Sequence, residues 1–351
     1  MQTMVQRVLL IGSGITAALT GALLRKQAAD RITLTIWDKA RGAGGRMSTS
    51  RSSGDSECLA DLGAQYITVL PENFEKNREI YGNLLENQII EPLVLGAVSG
   101  MKEFPSGTQH FVTPNGMSSL VKYLISLSAP EDTLFQHHVS AITQIGEKLQ
   151  VETTTGTKEE FDVVILTLPA PQVLQLGGDV PLLLKSQPEL EDGLRAVKFS
   201  SRYALALYFN SGDGQHEPWA AKYIDNNPVF RYASIENRKR NRPEKPPAAV
   251  FHSNVKFGSE NIEKTLIDME PILLEEYKNL FPKWPKPAAI KCHKWRYSQV
   301  TSPFPGKIGG ISILKKPLLI SGGDSFTGSG FDNCIESARC LTKNVLEFLE
   351  T

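Results

Sequence analysis

Two glycines, Gly12 and Gly14, stand between a short apolar run and a stretch with helical character. The first permits a tight turn and the second lets the backbone approach a pyrophosphate, while the small Ala17 allows the helix to pack closely on the strand. The N-terminal N–H groups of that helix would point at phosphate oxygens. The spacing therefore predicts a dinucleotide-binding turn; a purely structural strand–helix turn is the alternative.

An acidic residue stands where such a site needs one. The second predicted strand, residues 32–37, is followed at once by Asp38, 21 residues after Ala17. A carboxylate at this distance accepts hydrogen bonds from ribose hydroxyls. We therefore expect Asp38 to bind ribose, against the alternative of an acidic residue in a surface loop.

A further glycine pair precedes a cation: Gly44 and Gly45 are followed directly by Arg46. Adjacent glycines allow positive φ and a close approach of the backbone to a ligand, and the guanidinium group adds a fixed positive charge. We expect Gly45 and Arg46 to lie near the phosphates.

A second strand–glycine–helix junction occurs near the end of the chain, at residues 317–324. A nicotinamide-dependent dehydrogenase does not need it, whereas FAD is long and its flavin lies far from its adenine. The late strand would place Asp324 on the ribityl or pyrophosphate region. The partial positive charge of the following helix N-terminus would stabilise an anionic reduced flavin. Asp332 in the first turn of that helix is a counter-signal, since its carboxylate would cap the helix, and both roles hold together if Asp332 faces away from the ring.

Apolar and alternating patterns predict the elements that must position these residues. The first strand, helix and second strand are residues 8–11, 15–27 and 32–37, and residues 237–247 form a basic, proline-rich, solvated linker or flap. Further helices are predicted at 71–88, 117–127 and 260–280, with further strands at 135–145, 148–154, 161–168, 199–209, 229–235, 248–255 and 289–295.

Composition excludes several classes of function. Lys and Arg together number 38, as do Asp and Glu, so the chain lacks the basic excess of a general nucleic-acid-binding protein. No apolar run approaches the roughly 20 residues that span a bilayer. The four cysteines show no Cys-x-x-Cys spacing and the six histidines no metal-binding pattern, so we expect buried free thiols and no metal.

A short apolar run after Arg7 loosely resembles a signal peptide. Cleavage near Ala17 or Ala18 would remove the glycine turn, so a cleaved signal is inconsistent with a working cofactor site. We expect a cytoplasmic protein, with secretion without cleavage as the alternative.

The chain resembles the renalase family of FAD-dependent amine-oxidase-like flavoproteins. The residues that carry the resemblance run in order along nearly the whole chain, at 12–16, 37–40, 44–47, 60–68, 200–205, 294–296, 298–300, 322–324 and 331–332. One departure is that Gly42, not arginine, stands two residues before the glycine pair. No cysteine lies near 322–324 to attach the flavin, so the resemblance implies noncovalent FAD.

The resemblance implies an α/β, two-domain flavoprotein of the p-hydroxybenzoate hydroxylase type. A Rossmann-like FAD domain would comprise residues 1–70, 108–172 and 312–351, and a mixed-sheet substrate domain residues 71–107 and 173–311. Matching positions assign FAD binding to Thr16, Asp38, Arg46, Gln65 and Tyr66. The spacing of the glycine turns and of the late strand–helix junction adds Gly12, Gly14, Gly45 and Asp324.

The implied reaction is oxidation of isomeric dihydronicotinamides, 2-dihydro- and 6-dihydro-NAD(P), to NAD(P)⁺. Hydride would pass to flavin N5, and O₂ would be reduced to H₂O₂. Aromatisation drives such a transfer, so orientation of the ring is the main requirement and no strong base is needed. This agrees with the lack of any Ser/His/Asp or paired-carboxylate constellation. Two alternatives are an aryl-ethylamine (catecholamine) oxidase and a secreted signalling or binding flavoprotein.

Four residues are candidates for the substrate pocket: Tyr66, Trp295, Arg296 and Tyr297. Strand periodicity predicts that Trp295 and Tyr297 share one face, with Arg296 opposite. The alternative is that these aromatic side chains fill the core. Preference for NADH or NADPH isomers and the oligomeric state are left open by the sequence.

Overall fold

The computed structural model describes residues 5–94, 96–213 and 217–351. The chain forms two compact units. The first comprises Met1–Gly45, Val121–Lys198 and Gln299–Thr351, and the second comprises Arg46–Leu120 and Phe199–Ser298.

A six-stranded sheet is the centre of the first unit. Its neighbouring strands are parallel except for one antiparallel pair, Gly310–Leu314 and Leu318–Gly322. The apolar run Val163–Leu166 is buried along its whole length, as expected of a parallel strand covered on both faces. In spatial order the strands are Gly310–Leu314, Leu318–Gly322, Val163–Leu166, Gln6–Ile11, Ile32–Asp38 and Asp132–Phe135.

The remaining elements of the first unit are a small sheet and its helices. The small sheet contains, in order, Lys158–Phe161, Lys148–Thr153, Val139–Ile145 and Gly177–Gly178. The helices are Ile15–Ala28, Ala170–Val173, Val180–Lys185, Pro188–Ala196, Asp324–Thr327 and Phe331–Phe348, with 3-10 turns Ala29–Arg31 and Pro305–Lys307. Three elements span a division of the chain between the units: Gly45–Met47, Met117–Ser128 and Lys198–Phe199. The short strand Val300–Ser302 belongs to the first unit.

A second six-stranded sheet is the centre of the second unit. Its strands are antiparallel except for the last pair, in the order Ala289–Trp295, Arg202–Tyr208, Ala248–Ser253, Phe230–Ile235, Ala221–Tyr223 and Val98–Ser99. Tyr203, Leu205 and Leu207 alternate onto one face and pack with Met269 and Leu273 in a hydrophobic core of the unit.

Smaller elements complete the second unit. A hairpin pairs Thr49–Arg51 with Leu59–Asp61, and a three-stranded sheet has the order Ile67–Val69, Gln109–Val112 and Glu91–Pro92. The helices are Pro71–Lys76, Arg78–Glu86, Glu236–Lys239, Val255–Asn261 and Leu266–Leu280.

Three predicted elements are interrupted in the structure. The helix predicted at 71–88 is broken at Asn77, and the strand predicted at 135–145 is broken where Gln136 adopts a φ of 60°. The helix predicted at 260–280 is two helices, because Thr265 caps Leu266–Leu280 through a hydrogen bond from the Asp268 N–H. Periodicity survives such breaks, which explains why the pattern did not show them.

The prediction of a solvated linker at residues 237–247 was wrong in its first part. Glu236–Lys239 is a short helix, and Asn237, Lys239 and Arg240 are buried. The cations are buried because they pair with carboxylates, which composition alone does not show.

The predicted α/β class, with one largely parallel sheet and one mixed sheet, is confirmed. The compact units share residues 1–45, 121–172 and 312–351 with the predicted FAD domain. The division of the structure differs from the predicted domains in two ways. Residues 46–70 and 108–120 belong to the second unit, where their strands pair with one another. Residues 173–198 and 299–311 belong to the first unit. The cofactor or substrate role of each segment stays a prediction.

Candidate functional site

The glycine turn after the first strand leaves room for a ligand. Gly12 has a φ of +107°, and a Cβ there would lie 2.5 Å from Thr167 Oγ1, so a side chain is excluded on two grounds. A Cβ on Gly14 would meet nothing within 4 Å. The helix Ile15–Ala28 begins without a side-chain cap and without an acidic residue in its first turn. Its first N–H groups therefore suit an anion such as a phosphate.

The carboxylate of Asp38 is held at the end of the second strand. Its Oδ2 accepts hydrogen bonds of 2.6 Å from both the N–H and the hydroxyl of Ser13, and its Oδ1 accepts one of 2.7 Å from the N–H of Ala40. A carboxylate has about four acceptor positions, so these bonds orient the group and leave capacity for a ribose hydroxyl.

The late junction lies beside the first one within the first unit. Gly323 has a φ of +120°, and a Cβ on it would lie 3.9 Å from both Thr16 Oγ1 and the Thr167 carbonyl oxygen. Asp324, which is buried, accepts a hydrogen bond of 2.9 Å from the Ser329 hydroxyl. Gly12 and Gly323 both follow the carboxyl ends of parallel strands, where ligands bind in open α/β sheets.

Gly45 also comes close to the first turn. A Cβ on Gly45 would lie 3.4 Å from Gly14 Cα, and the Gly44 N–H donates a 3.0 Å hydrogen bond to the Ser13 carbonyl. The first unit therefore brings Gly12, Gly14 and Gly45 together around an uncapped helix N-terminus. This open cradle fits the pyrophosphate of a dinucleotide cofactor such as FAD.

Arg46, predicted to serve the phosphates, lies in the second unit. Its guanidinium carbon is 5.8 Å from the centre of the Phe199 ring, and its Nη1 donates a 3.4 Å hydrogen bond to the Ser298 carbonyl. Its contact with phosphate stays a prediction.

Gln65 has both ends of its amide engaged inside the second unit. Its Nε2 donates to the carbonyls of Asp61 and Gly63, and its Oε1 accepts hydrogen bonds of 2.8 Å from Lys239 Nζ and 3.1 Å from the Ser234 hydroxyl. The side chain thus fixes the segment that leads to Tyr66.

Gln65 adjoins a group that the sequence analysis missed, the charge cluster of Asp61, Glu236, Lys239 and Arg240. Lys239 Nζ lies 2.7 Å from Glu236 Oε1 and 3.5 Å from Asp61 Oδ2, and Arg240 Nη2 contacts both acids. Burial alone would raise the pKa of Asp61, but Arg240 and Lys239 hold it below its ordinary value. The i,i+3 and i,i+4 spacing of acid and bases in residues 236–240 was the available signal.

Asp61 also contacts the start of a helix. Its Oδ1 accepts hydrogen bonds from the Thr49 hydroxyl, at 2.6 Å, and from the Met117 N–H, at 2.9 Å. A carboxylate at a helix N-terminus stabilises the helix dipole and satisfies a free donor. The cluster therefore ties three separate stretches of the second unit together.

Tyr66 shares a hydrogen bond with the hydroxyl of Tyr223. Burial, and then this bond, raise the pKa of Tyr66 well above its ordinary value. Its ring also lies edge-on to His110, with centroids 6.0 Å apart. Tyr66 is thus a neutral, polar aromatic side chain of the second unit.

The three other pocket candidates diverge. Trp295 donates a 2.8 Å hydrogen bond from Nε1 to the Leu62 carbonyl, whereas Arg296 forms an exposed ion pair with Glu263 at 2.7 Å. Tyr297 packs edge-on against Phe199. The predicted alternation of faces assumed a continuous strand, but the strand ends at Trp295, so strand periodicity does not apply to the next two residues.

The histidines and cysteines of the described residues form neither a metal cluster nor a disulfide. No group of His, Cys, Asp and Glu there could hold a metal ion. Cys58 and Cys334 are buried free thiols, as predicted, whereas Cys292 and Cys340 are partly exposed. Within the same residues, no helix is long and apolar enough to cross a membrane.

Comparison with known proteins adds three findings. Residues 10–84 match the NAD(P)-binding Rossmann-like domain, and residues 93–339 match the flavin containing amine oxidoreductase family. Renalase from Mus musculus is 39% identical over 345 residues, covering 98% of this chain and 99% of that protein. The crystal structure of a putative protoporphyrinogen oxidase from Exiguobacterium sp. 255-15 has a TM-score of 0.72 over 99% of both chains at 12% identity, which concerns the fold alone.

Proposed function

Because the chain belongs to the flavin-containing amine oxidoreductase family and is similar to renalase along nearly its whole length, we propose that it oxidises isomeric dihydronicotinamides. The resemblance to the renalase family is confirmed; the chain is an FAD-dependent oxidoreductase. The proposed substrates are 2-dihydro- and 6-dihydro-NAD(P), the products NAD(P)⁺ and, from O₂, H₂O₂. The full-length similarity to renalase is the observation that carries this proposal.

The residues of the first unit would hold the cofactor. Gly12, Gly14 and Gly45 would leave space for the pyrophosphate, and Asp38, oriented by Ser13, would accept hydrogen bonds from ribose. The junction with Thr16 and Asp324 would extend the site along FAD. When bound, FAD supplies the hydride acceptor N5 and passes the electrons to O₂. Cofactor roles for Arg46, Gln65 and Tyr66 are carried by the resemblance. Because the Gln65 amide is engaged within the protein, we assign its contact to its main chain.

The protonation states of the second unit suit this substrate class. Burial keeps the pKa of Tyr66 and Tyr232 well above their ordinary value and lowers that of His252 to about 3. None of the three side chains changes charge near neutral pH. A dihydronicotinamide gives up hydride and becomes aromatic without prior loss of a proton, whereas an amine must first be neutral. Orientation of the substrate ring is then the main contribution of the protein.

The test is reduction of the purified FAD-loaded protein without oxygen. We expect 2-dihydro- and 6-dihydro-NAD(P) to bleach the flavin absorbance, and readmitted O₂ to restore it with formation of H₂O₂. Phenylethylamine and catecholamines are the comparison substrates. Bleaching by amines alone would replace the proposal with an amine oxidase, and bleaching by neither class would favour a binding role.

We also propose a cytoplasmic location, on the argument that signal cleavage after the glycine turn would destroy the cofactor cradle. Fractionation of cells that produce the full chain tests it. Recovery of FAD-loaded protein outside the cells, with Gly12 and Gly14 retained, would favour uncleaved secretion.

A further inference from the structure

A row of side chains crosses the large sheet of the second unit. Directly opposed residues of antiparallel strands point to the same face, so five side chains follow one another across five strands. Ala204, the smallest of them, is flanked by two histidines. In order the row is His293, Ala204, His252, Tyr232 and Tyr223.

His252 occupies an interior position of this row and yet is partly exposed. Its neighbour Ala204 presents only a methyl group, while the Tyr232 ring lies 5.7 Å away on the other side. Trp295, opposite Arg202, stands on the same face one row further along. The imidazole therefore lies in a partly open, aromatic-walled stretch of the sheet surface.

One backbone oxygen fixes the tautomer of His252. Its Nε2 lies 3.0 Å from the Leu62 carbonyl oxygen, which also accepts the 2.8 Å hydrogen bond from Trp295 Nε1. A carbonyl oxygen can only accept, so the hydrogen of the neutral imidazole must be on Nε2. Nδ1 then carries a lone pair and is an acceptor.

The imidazole is neutral at physiological pH. Burial, followed by the positive charge of Arg202, lowers the pKa of His252 to about 3. Within the part of the chain that the structure describes, the ring makes its hydrogen bond through Nε2, and none reaches Nδ1. The sheet thus presents a fixed, uncharged acceptor beside flat aromatic rings.

We propose that His252 is a specificity-determining residue whose Nδ1 accepts a hydrogen bond from the N–H of the substrate's ring carboxamide. This inference deepens the proposed function and rests on it. A primary carboxamide has N–H donors that need an acceptor, and its flat heteroaromatic ring suits aromatic neighbours. A site built to accept from a ligand N–H rejects an analogue that lacks it, because the acceptor is then covered by the ligand and left unpaired.

Two substitutions separate the two nitrogens of the ring. In His252→Gln, the amide nitrogen takes the place of Nε2 and can still donate to the Leu62 carbonyl, but the acceptor at Nδ1 is lost. In His252→Asn, the amide oxygen takes the place of Nδ1, and the bond to Leu62 is lost. The exposed His138→Gln is the control.

The experiment measures ligand binding to the FAD-loaded protein from changes in the flavin spectrum. The two probes are 1-methylnicotinamide and 3-acetyl-1-methylpyridinium, which differ in the amide nitrogen. We expect the wild-type protein and His138→Gln to prefer the carboxamide by about tenfold. His252→Gln should lose this preference and His252→Asn should retain most of it. FAD content and circular dichroism check that each variant is folded.

Two results would overturn the inference: equal binding of both probes by the wild-type protein, or a preference that survives in His252→Gln. The proposed function is read separately, from flavin bleaching. A wild-type protein that prefers the carboxamide probe but is not reduced by any dihydronicotinamide would refute the proposed reaction and leave amide recognition in place.

Discussion

The ammonium of Lys239 lies 2.7 Å from a carboxylate oxygen of Glu236, and neither side chain is exposed to solvent. Asp61 and Arg240 complete the cluster, so two positive and two negative charges are buried together. Such a group is stable only while its charges balance, because an unpaired buried charge is strongly disfavoured.

Lys239→Met should lower the free energy of unfolding by about 3–5 kcal/mol, since two buried carboxylates lose a partner. Urea unfolding at pH 7 measures the change. The matched control is Lys245→Met, which removes a cation of the same segment that pairs with Glu57 at the surface and should have little effect. The double variant Glu236→Gln/Lys239→Met should recover part of the loss because charge balance returns. A single variant as stable as the control would refute this account of the cluster.

Gly14→Ala should separate cofactor binding from folding. Its backbone is compatible with alanine, with φ at −84°, and a Cβ there meets no protein atom. We expect unchanged thermal stability of the FAD-free protein and a weaker affinity for FAD, by about tenfold or more. Titration of the FAD-free protein with FAD provides the measurement.

Gly54→Ala, in an exposed turn with equal space for a Cβ, is the control and should bind FAD normally. Gly12→Ala should impair both properties, because it strains the backbone and collides with Thr167. Normal FAD affinity in Gly14→Ala would remove the turn from the cofactor site.

The stability of the protein should fall in mild acid partly because of His252. Its pKa is about 3 in the folded state and ordinarily 6.5, so the unfolded chain binds a proton that the folded chain does not between these values. The contribution of the neutral ring is complete above about pH 6.5 and declines as the pH falls toward 3. Urea unfolding at pH 7 and pH 5 should show a smaller decline for His252→Gln than for the wild-type protein. Equal declines would contradict a lowered pKa of the His252 imidazole.

Trp295→Ala should slow anaerobic reduction of the flavin by about ten- to a hundredfold without release of FAD, as expected for a residue that orients the substrate. Stopped-flow absorbance with a dihydronicotinamide measures it. Trp295→Phe keeps an aromatic ring and loses only the hydrogen bond to the Leu62 carbonyl. Its rate of flavin reduction should therefore lie between those of the wild-type protein and Trp295→Ala. Unchanged reduction kinetics in the alanine variant would exclude Trp295 from the substrate site.

The local geometry of the candidate site could be predicted where it depends on neighbouring elements of the sequence. The turn at Gly12 and Gly14 lies between two adjacent elements, so an apolar run and two glycines suffice to place it. Asp38 follows from the same unit, because a strand of known direction delivers it to the same sheet edge.

The parts of the structure that depend on tertiary pairing could not be predicted from the sequence. Arg240 meets Asp61 across 179 residues of sequence, and nothing local to residues 237–247 indicates that its cations are buried. Similarly, Trp295 and His252 acquire their partner from the backbone at Leu62, which has no signature in side-chain type. The end of the strand at Trp295 was also not predictable, since an alternating pattern does not indicate where a strand stops.

The shared carbonyl at Leu62 makes two rings mechanically dependent on one peptide. No side-chain substitution at position 62 deletes that oxygen, but a shift of the peptide would move both rings at once. A side chain at position 63 would cause such a shift, because a Cβ on Gly63 would lie 2.0 Å from the Arg46 carbonyl oxygen. The effects of substitutions at Gly63, His252 and Trp295 should therefore not be additive. A substitution at Gly63 should reproduce the effects of the His252 and Trp295 variants together.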